Sequence, residues 1–313
     1  LESTGGYESN WYNTLLRERQ KLNVQVARVN PLGVKRNLEA SLERNKTDKI
    51  SARAIAEYQM DHSKKIIYNL DDPWESLRKL WGFLSMLTKQ KVQLLNQLES
   101  ALYNTHPFLL SFCKVSMPEW VLKVIIEYPS AMRIVESNPE MLSEIPFISH
   151  QRAKELIEMA KENIGSDQGL ITEYRVKSLA QEILHLARLI KEQSKTIVSL
   201  CPYKEEMKLL QSFPGIGELS SVGLILIIGD INRFKTAKNL SAFFGVHPVY
   251  RESGDGSYGY YMSKKGSKKA RSILFFVALN SIVNNEMIKR LFEGYQNKGK
   301  SKMSAIGIIM HKI

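Results

Sequence analysis

The chain has 313 residues, 43% hydrophobic and 24% charged, and its 44 Lys and Arg against 32 Asp and Glu give a formal net charge of +12. That length allows about two domains with a sizeable core, and the cationic surplus favours a polyanionic partner, nucleic acid ahead of an acidic membrane. Two cysteines, Cys113 and Cys201, imply no disulfide framework and a reducing compartment, six scattered histidines lack metal-ligand spacing, and the apolar run Leu224–Ile228 is too short to span a bilayer.

The first residues, Leu1 to Tyr7, read as a strand end running into a glycine turn, with no signal-peptide pattern. Trp11, Leu15, Leu16 and Leu22 have helical spacing, Val24 to Val29 alternates as a strand, and Asn30-Pro31 ends it. A polar, basic connection follows. Asp48 to Met60 then predicts a helix with Ile50, Ala54, Ile55 and Tyr58 inward. Strand–helix–strand–helix order predicts part of an α/β domain over residues 1–68. Glu2 at a strand end and Asp48 at a helix start are carboxylates of the kind that hold Mg²⁺ when they converge. Taken singly, each acid is more simply a surface or capping residue, and Lys46 and Arg53 beside Asp48 read equally as surface ion-pair partners.

Two long helical patterns, Asp72–Leu102 and about Ile171–Leu200, carry apolar stripes. The second stripe, Val176, Leu179, Ile183, Leu186, Ile190, Ile197 and Leu200, follows heptad spacing. Together they predict an antiparallel coiled-coil arm or a dimer interface over 69–203. Five of the ten prolines lie between them, so short helices and turns are expected at its tip. The region 204–313 opens with a short helix, Glu205–Ser212, then Phe213-Pro-Gly-Ile-Gly217 and a helix through Val222–Ile228. This is a helix-hairpin-helix signature, in which Gly215 and Gly217 let the backbone approach a phosphate.

Most of the positive surplus lies further on. Ile231–Lys302 contains fourteen Lys or Arg and four acids. Within it, a glycine-rich and therefore flexible approach (Gly254, Gly256, Gly259) leads to Ser263, where a loop meets a helix among Lys264, Lys265, Lys268, Lys269 and Arg271. A hydroxyl held there can attack a phosphodiester; the plainer reading is a solvated basic loop whose serine caps the helix.

These stretches resemble one family. Glu2-Ser-Thr-Gly-Gly-Tyr7, Val29-Asn-Pro31 and Lys46–Arg53 look like the later part of its N-terminal domain. Phe213–Gly217, Gly229–Phe234, Phe244–Pro248, Met262–Gly266 and Gly299-Lys300 look like its C-terminal transposase domain. The family is the DEDD-motif insertion-sequence transposases, the insertion-sequence-110 group that includes the Piv-type DNA invertases. The resemblance implies a ribonuclease-H-like, RuvC-type domain in which Glu2 and Asp48 bind Mg²⁺ or Mn²⁺. The family's first aspartate would lie upstream of Leu1, and its fourth acid is replaced by Ser51, which weakens metal binding. Both chain ends read as cut, which predicts a fragment of a longer protein. The resemblance further implies that Ser263 is a nucleophile forming a phosphoserine link to DNA. Lys264, Lys265, Lys268, Lys269, Arg271, Lys46 and Arg53 would then contact nucleic acid. A bridge RNA would guide target choice, and a homodimer or homotetramer would assemble through the coiled coil in the cytoplasm of a prokaryotic cell, near the nucleoid. The competing readings are a nucleic-acid-binding relic whose chemistry decayed at Ser51, and a plain structural coiled-coil protein.

Overall fold

The computed structural model describes residues 1–3, 5–40, 47–69, 72–114, 116–162, 165–167, 169–253 and 256–313. Packing divides the chain into two units, Leu1–Pro73 and Trp74–Ile313. Most described residues are helical, and the one hydrogen-bonded sheet of named strands has two strands.

In the first unit, Glu2 bridges Val29 in parallel and Ala27 bridges Tyr68 antiparallel, so three extended segments lie side by side. The expected strand over Val24–Val29 is thus reduced to two single-residue bridges, because its neighbours follow it for only a residue or two. Helix α1 (Ser9–Leu22) turns inward on Tyr12 rather than on Trp11 or Leu22, which are 71% and 52% exposed. Tyr12 carries the Arg28 guanidinium 4.1 Å above its ring. The basic connection expected after Asn30 is in fact helix α2 (Pro31–Ala40). Pro31 starts it because a first-turn residue needs no backbone N–H, and the Asn30 side chain accepts a hydrogen bond from the Leu32 N–H. Helix α3 (Asp48–Asp61) begins as expected, with the Thr47 hydroxyl accepting from the Ile50 N–H. Val29, Val34 and Ala54 form the small core of this unit with Leu38, Ile55, Tyr58 and Ile66 around it.

The second unit is built on two 31-residue helices, α4 (Glu75–Thr105) and α9 (Leu170–Leu200). They run antiparallel: Leu98 and Leu102 of α4 cluster with Val176 and Ile183 of α9, while Leu84 clusters with Ile197. Leu200, read as part of the stripe, is 60% exposed, whereas Ile197 and Cys201 on either side of it are fully buried in the cluster shared with α4. Between them, α5 (Glu119–Glu127), α6 (Ala131–Val135), α7 (Pro139–Ser143) and α8 (His150–Glu162) close over the far ends. The proline-rich tip therefore holds the largest buried cluster of the chain. Each fully buried Leu or Ile there contributes about 1.5–3 kcal/mol.

At the near end, α10 (Lys204–Gln211) and α11 (Glu218–Ile228) pack on α4 and α9. Helix α11 starts four residues earlier than its apolar run suggests, with Gly217 at its N-cap. It is apolar all round and correspondingly buried, with Leu224 facing the C-terminal core and Val222, Ile225 and Leu226 facing the arm. Gly223 makes this possible, since a Cβ there would strike Trp81 and Ile273. Then come α12 (Ala237–Phe244), an antiparallel hairpin of β1 (Pro248–Ser253) and β2 (Gly256–Met262), α13 (Lys268–Asn284), α14 (Glu286–Asn297) and α15 (Lys302–Lys312). The glycine-rich approach to Ser263, expected to be flexible, is thus strand β2 in register with β1, with a bulge between Tyr250 and Glu252. Gly254 lies outside the described residues. No helix among the described residues is long and apolar enough to cross a membrane.

Candidate functional site

Ser263 follows the last residue of β2 and is 8% exposed. Its N–H donates to the His247 carbonyl at 3.0 Å, and its Oγ accepts from the Lys265 N–H at 3.3 Å. Lys264 adopts a left-handed backbone, φ 55°, which is costly for a residue with a side chain and marks an over-determined turn. What fixes that turn is the end of α12. Gly245 caps α12 in the left-handed region, the Lys264 N–H donates to its carbonyl, and the Ser267 N–H donates to Phe243. Gly266 presses against the same segment so closely that an added Cβ would lie 2.5 Å from the Phe243 oxygen. The pair Phe244-Gly-Val-His and Ser263–Ser267 is therefore a single interlocked element made from two distant parts of the sequence.

Ser263 does not cap the following helix. The cap is Ser267, whose hydroxyl accepts from the Ala270 N–H, so Ser263 is released from that role. Of the five expected cations, Lys264, Lys265, Lys268 and Lys269 are exposed, and none pairs with a carboxylate among the described residues. Lys268 and Lys269 occupy the first turn of α13, where cations oppose the helix dipole. Such a cluster fits bound anions rather than helix stability. Arg271 is different: its guanidinium donates to the Phe244 carbonyl at 3.0 Å and ties α13 to α12. The sequence marked it as a phosphate ligand and did not show this bracing role. Arg271, Lys264 and Lys268 also border a cavity of about 770 Å³ whose walls include Met262, Phe275, Tyr295 and Met310.

The two hairpin glycines differ. Gly215 has φ 113° and backs onto Ser281 of α13, whose hydroxyl donates to the Pro214 carbonyl, so it serves close packing. Gly217 is exposed, with nothing within 4 Å of where a Cβ would stand, and lies at the N-terminus of α11.

In the first unit, Glu2 is half-buried beside Val29 and Asp48 is exposed at the start of α3. Ser51 lies one turn after Asp48 on the same helix and brings no carboxylate. Among the described residues no group of three or more His, Cys, Asp or Glu could hold a metal ion. Arg53 is bound to Glu57 at 2.7 Å along α3. Lys46 lies outside the described residues.

Comparison with known proteins fits this layout. Residues 207–293 match the model described as "Transposase IS116/IS110/IS902 family", and residues 1–107 match the DEDD transposase model of the IS110 group. The chain is 22% identical over 274 residues to the transposase for insertion sequence element IS1111A of Coxiella burnetii, covering 88% of this chain and 63% of that protein. It is 23% identical over 249 residues to an uncharacterized 44.8 kDa protein of insertion element IS116 from Streptomyces clavuligerus, covering 76% and 61%. A pilin gene-inverting protein of Moraxella lacunata is 32% identical over 111 residues, 34% of this chain and 33% of that protein. The chain spans about three fifths of the length of the first two relatives. With the two models of one group matching in order, the N-terminal one over the first unit and α4 and the C-terminal one over the Ser263 element, the chain belongs to the IS116/IS110/IS902 family of transposases.

Proposed function

We propose that this chain is part of a mobile-element recombinase that breaks and rejoins DNA through Ser263. The observation that carries the reading is the placement of Ser263. It is freed from helix capping, fixed by an interlocked backbone turn, and flanked by four exposed cations that pair with no carboxylate among the described residues. In the chemistry, the Ser263 Oγ attacks phosphorus, a phosphoserine ester forms and one sugar–oxygen bond to phosphorus breaks, leaving a free sugar hydroxyl. Conserving the phosphoester in this way permits rejoining without an external energy source. Lys264, Lys265, Lys268 and Lys269 neutralise the phosphates that flank the attacked bond, and Gly217 at the start of α11 offers backbone N–H groups to a further phosphate.

The finer parts of the proposal are a RuvC-type fold for the first unit, Glu2 and Asp48 as acids of a divalent-metal centre, a coiled-coil arm joining protomers, and a bridge RNA. The family resemblance supports them. Ser51 favours a second reading, a nucleic-acid-binding relic with decayed chemistry, because a helix position expected to supply a carboxylate has only a hydroxyl.

The test is strand exchange by the full-length protein with donor DNA, target DNA and RNA from the native locus. Ser263→Ala is expected to abolish the covalent protein–DNA product while leaving DNA affinity within about twofold, since a neutral hydroxyl contributes little to phosphate binding. Equal recombination by wild type and Ser263→Ala would overturn the assignment. DNA binding without any covalent product from the wild type would favour the relic.

A further inference from the structure

We infer that the cavity beside Lys264, Lys268 and Arg271 receives an unpaired nucleotide of the DNA substrate, its base among the apolar walls and its phosphate on the cations. The inference rests on the reading of this chain as a protein that acts on DNA and is independent of which group attacks the strand. The cavity holds about 770 Å³ and is enclosed by the β-hairpin and helices α13, α14 and α15. Its lining divides by chemistry. Phe275 and Tyr295 bring aromatic rings, and Met262 and Met310 bring thioethers that adapt to the outline of a flat ligand. The cations come from the turn before α13 and from its first turns. Lys264 and Lys268 are exposed, and Arg271, which donates one N–H to the Phe244 carbonyl, keeps further donors for an anion.

The sequence of α13 sets these groups in order. Lys268, Arg271, Ser272 and Phe275 stand at i, i+3, i+4 and i+7, which is one face of a helix, and all four border the cavity. Charge therefore lies at the N-terminal end of the face and the aromatic ring further along it. Arg271 and Phe275 are about 6 Å apart along the axis, four residues at 1.5 Å each. That is close to the spacing between a phosphate and its own base. A base stacked on Phe275 thus leaves its phosphate beside Arg271 and Lys268. Ser272 and Ser304 add hydroxyls to the lining, which can hydrogen-bond to a base edge.

Size and charge select this occupant. Pockets for small ligands run from about 300 to 1,000 Å³, a range that includes this cavity. A sphere of the same volume has about 400 Å² of wall, half of the roughly 800 Å² that a stable protein partner buries on each side. Three cations on the lining favour an anionic ligand over a purely apolar one, and the net charge of +12 draws a polyanion. A base inside a duplex is stacked on both faces and out of reach of a concave site, so the nucleotide must be unpaired.

The experiment compares a short abasic deoxyribose-phosphate strand with the same strand carrying one thymine. The full wild-type chain is expected to bind the thymine strand about 5- to 150-fold more tightly, the gain that one base–aromatic stack provides. Two substitutions fill the cavity. Gly307→Leu enters from α15, where an added Cβ would meet the flexible tip of Met262 at 3.3 Å, and Ser304→Leu enters from an exposed position. Both are expected to remove the gain while leaving affinity for the abasic strand within about twofold, because the cations are untouched. Photocross-linking with iodouracil in place of thymine, read by peptide mass spectrometry, is expected to mark the peptides of Phe275 or Tyr295 from a single strand and not from a duplex. No gain from thymine in wild type, a gain that survives in variants that melt like wild type, or cross-links confined to other peptides overturns the inference. So does a ribose strand that cross-links in the cavity where the deoxyribose strand does not. A changed oligomeric state in the filled variants, with the gain intact, would make the cavity a protein contact and likewise overturn it. If the chain binds neither strand at low salt, the DNA reading itself falls. If it binds both equally, only the role of the cavity falls.

Discussion

Gly266→Ala isolates the close approach that holds Ser263 in place. Gly266 does not need a positive φ, so the substitution introduces no backbone strain and acts only through space. The new Cβ would lie 2.5 Å from the Phe243 oxygen, 2.6 Å from the Gly245 nitrogen and 2.7 Å from the Phe244 carbonyl carbon, all of them backbone atoms. Ordinary van der Waals separation begins at 3.4 Å, so the two segments must part by 3.4 − 2.5 = 0.9 Å. That separation stretches the Ser267–Phe243 and Lys264–Gly245 hydrogen bonds, now 3.1 and 3.0 Å. Overpacking of this kind costs about 1–3 kcal/mol and weakened hydrogen bonds add about 1 kcal/mol, giving roughly 2–4 kcal/mol in all. For a unit of this size that lowers the melting temperature by roughly 4–16 °C. Calorimetry of the full chain measures it. Gly294→Ala is the control: it lies inside α14 with nothing within 4 Å of the added Cβ, and is expected to stabilise by about 0.5–1 kcal/mol. Gly266→Ala melting indistinguishably from wild type, with Gly294→Ala raised as expected, would refute the interlocked turn.

Two further outcomes are expected. Lys268→Ala with Lys269→Ala should flatten the slope of log affinity for DNA against log salt by about 1.8, near 0.9 for each phosphate no longer neutralised, and an unchanged slope would remove both from the interface. Alanine suits the first turn of α13, so unfolding does not confound that measurement. In the tip, burial pushes the His106 pKa down to about 4 from 6.5, and its ring bonds the Thr105 hydroxyl and the Tyr128 carbonyl. The unfolded chain therefore binds a proton that the folded chain refuses. The contribution is full above pH 6.5 and is lost as pH falls toward 4. Between pH 7 and 5 the loss is about 2 kcal/mol, read from urea midpoints and absent in His106→Gln. Burial works to raise the Glu173 carboxyl nearby, but the Ser130 hydroxyl and Arg133 outweigh it and hold it low, so it enters only below about its ordinary 4.5. A pH-independent stability in wild type across 7 to 5 would contradict the buried neutral His106.

The amino-acid pattern alone determined the long helices, the short helix before Gly215, and the basic stretch at Ser263, since helical periodicity and clustered charge are local properties. The tertiary structure decided what depends on residues far apart in the chain. Residues 32–40 are polar enough to read as a connection, yet they form α2 because Val34 and Leu38 find Val29 and Ala54. The glycines before Ser263 predict flexibility; pairing with β1, itself some ten residues upstream, turns them into a strand. Ser263 and Ser267 are both plausible caps by position, and only the backbone geometry assigns the cap to Ser267. Arg271 reads as a phosphate ligand, and only the fold shows that its guanidinium also donates to the Phe244 carbonyl. For Ser263, the sequence supplied a hydroxyl among cations. The fold supplied a fixed position for it: the His247 carbonyl accepts from its N–H, and its oxygen accepts from the Lys265 N–H.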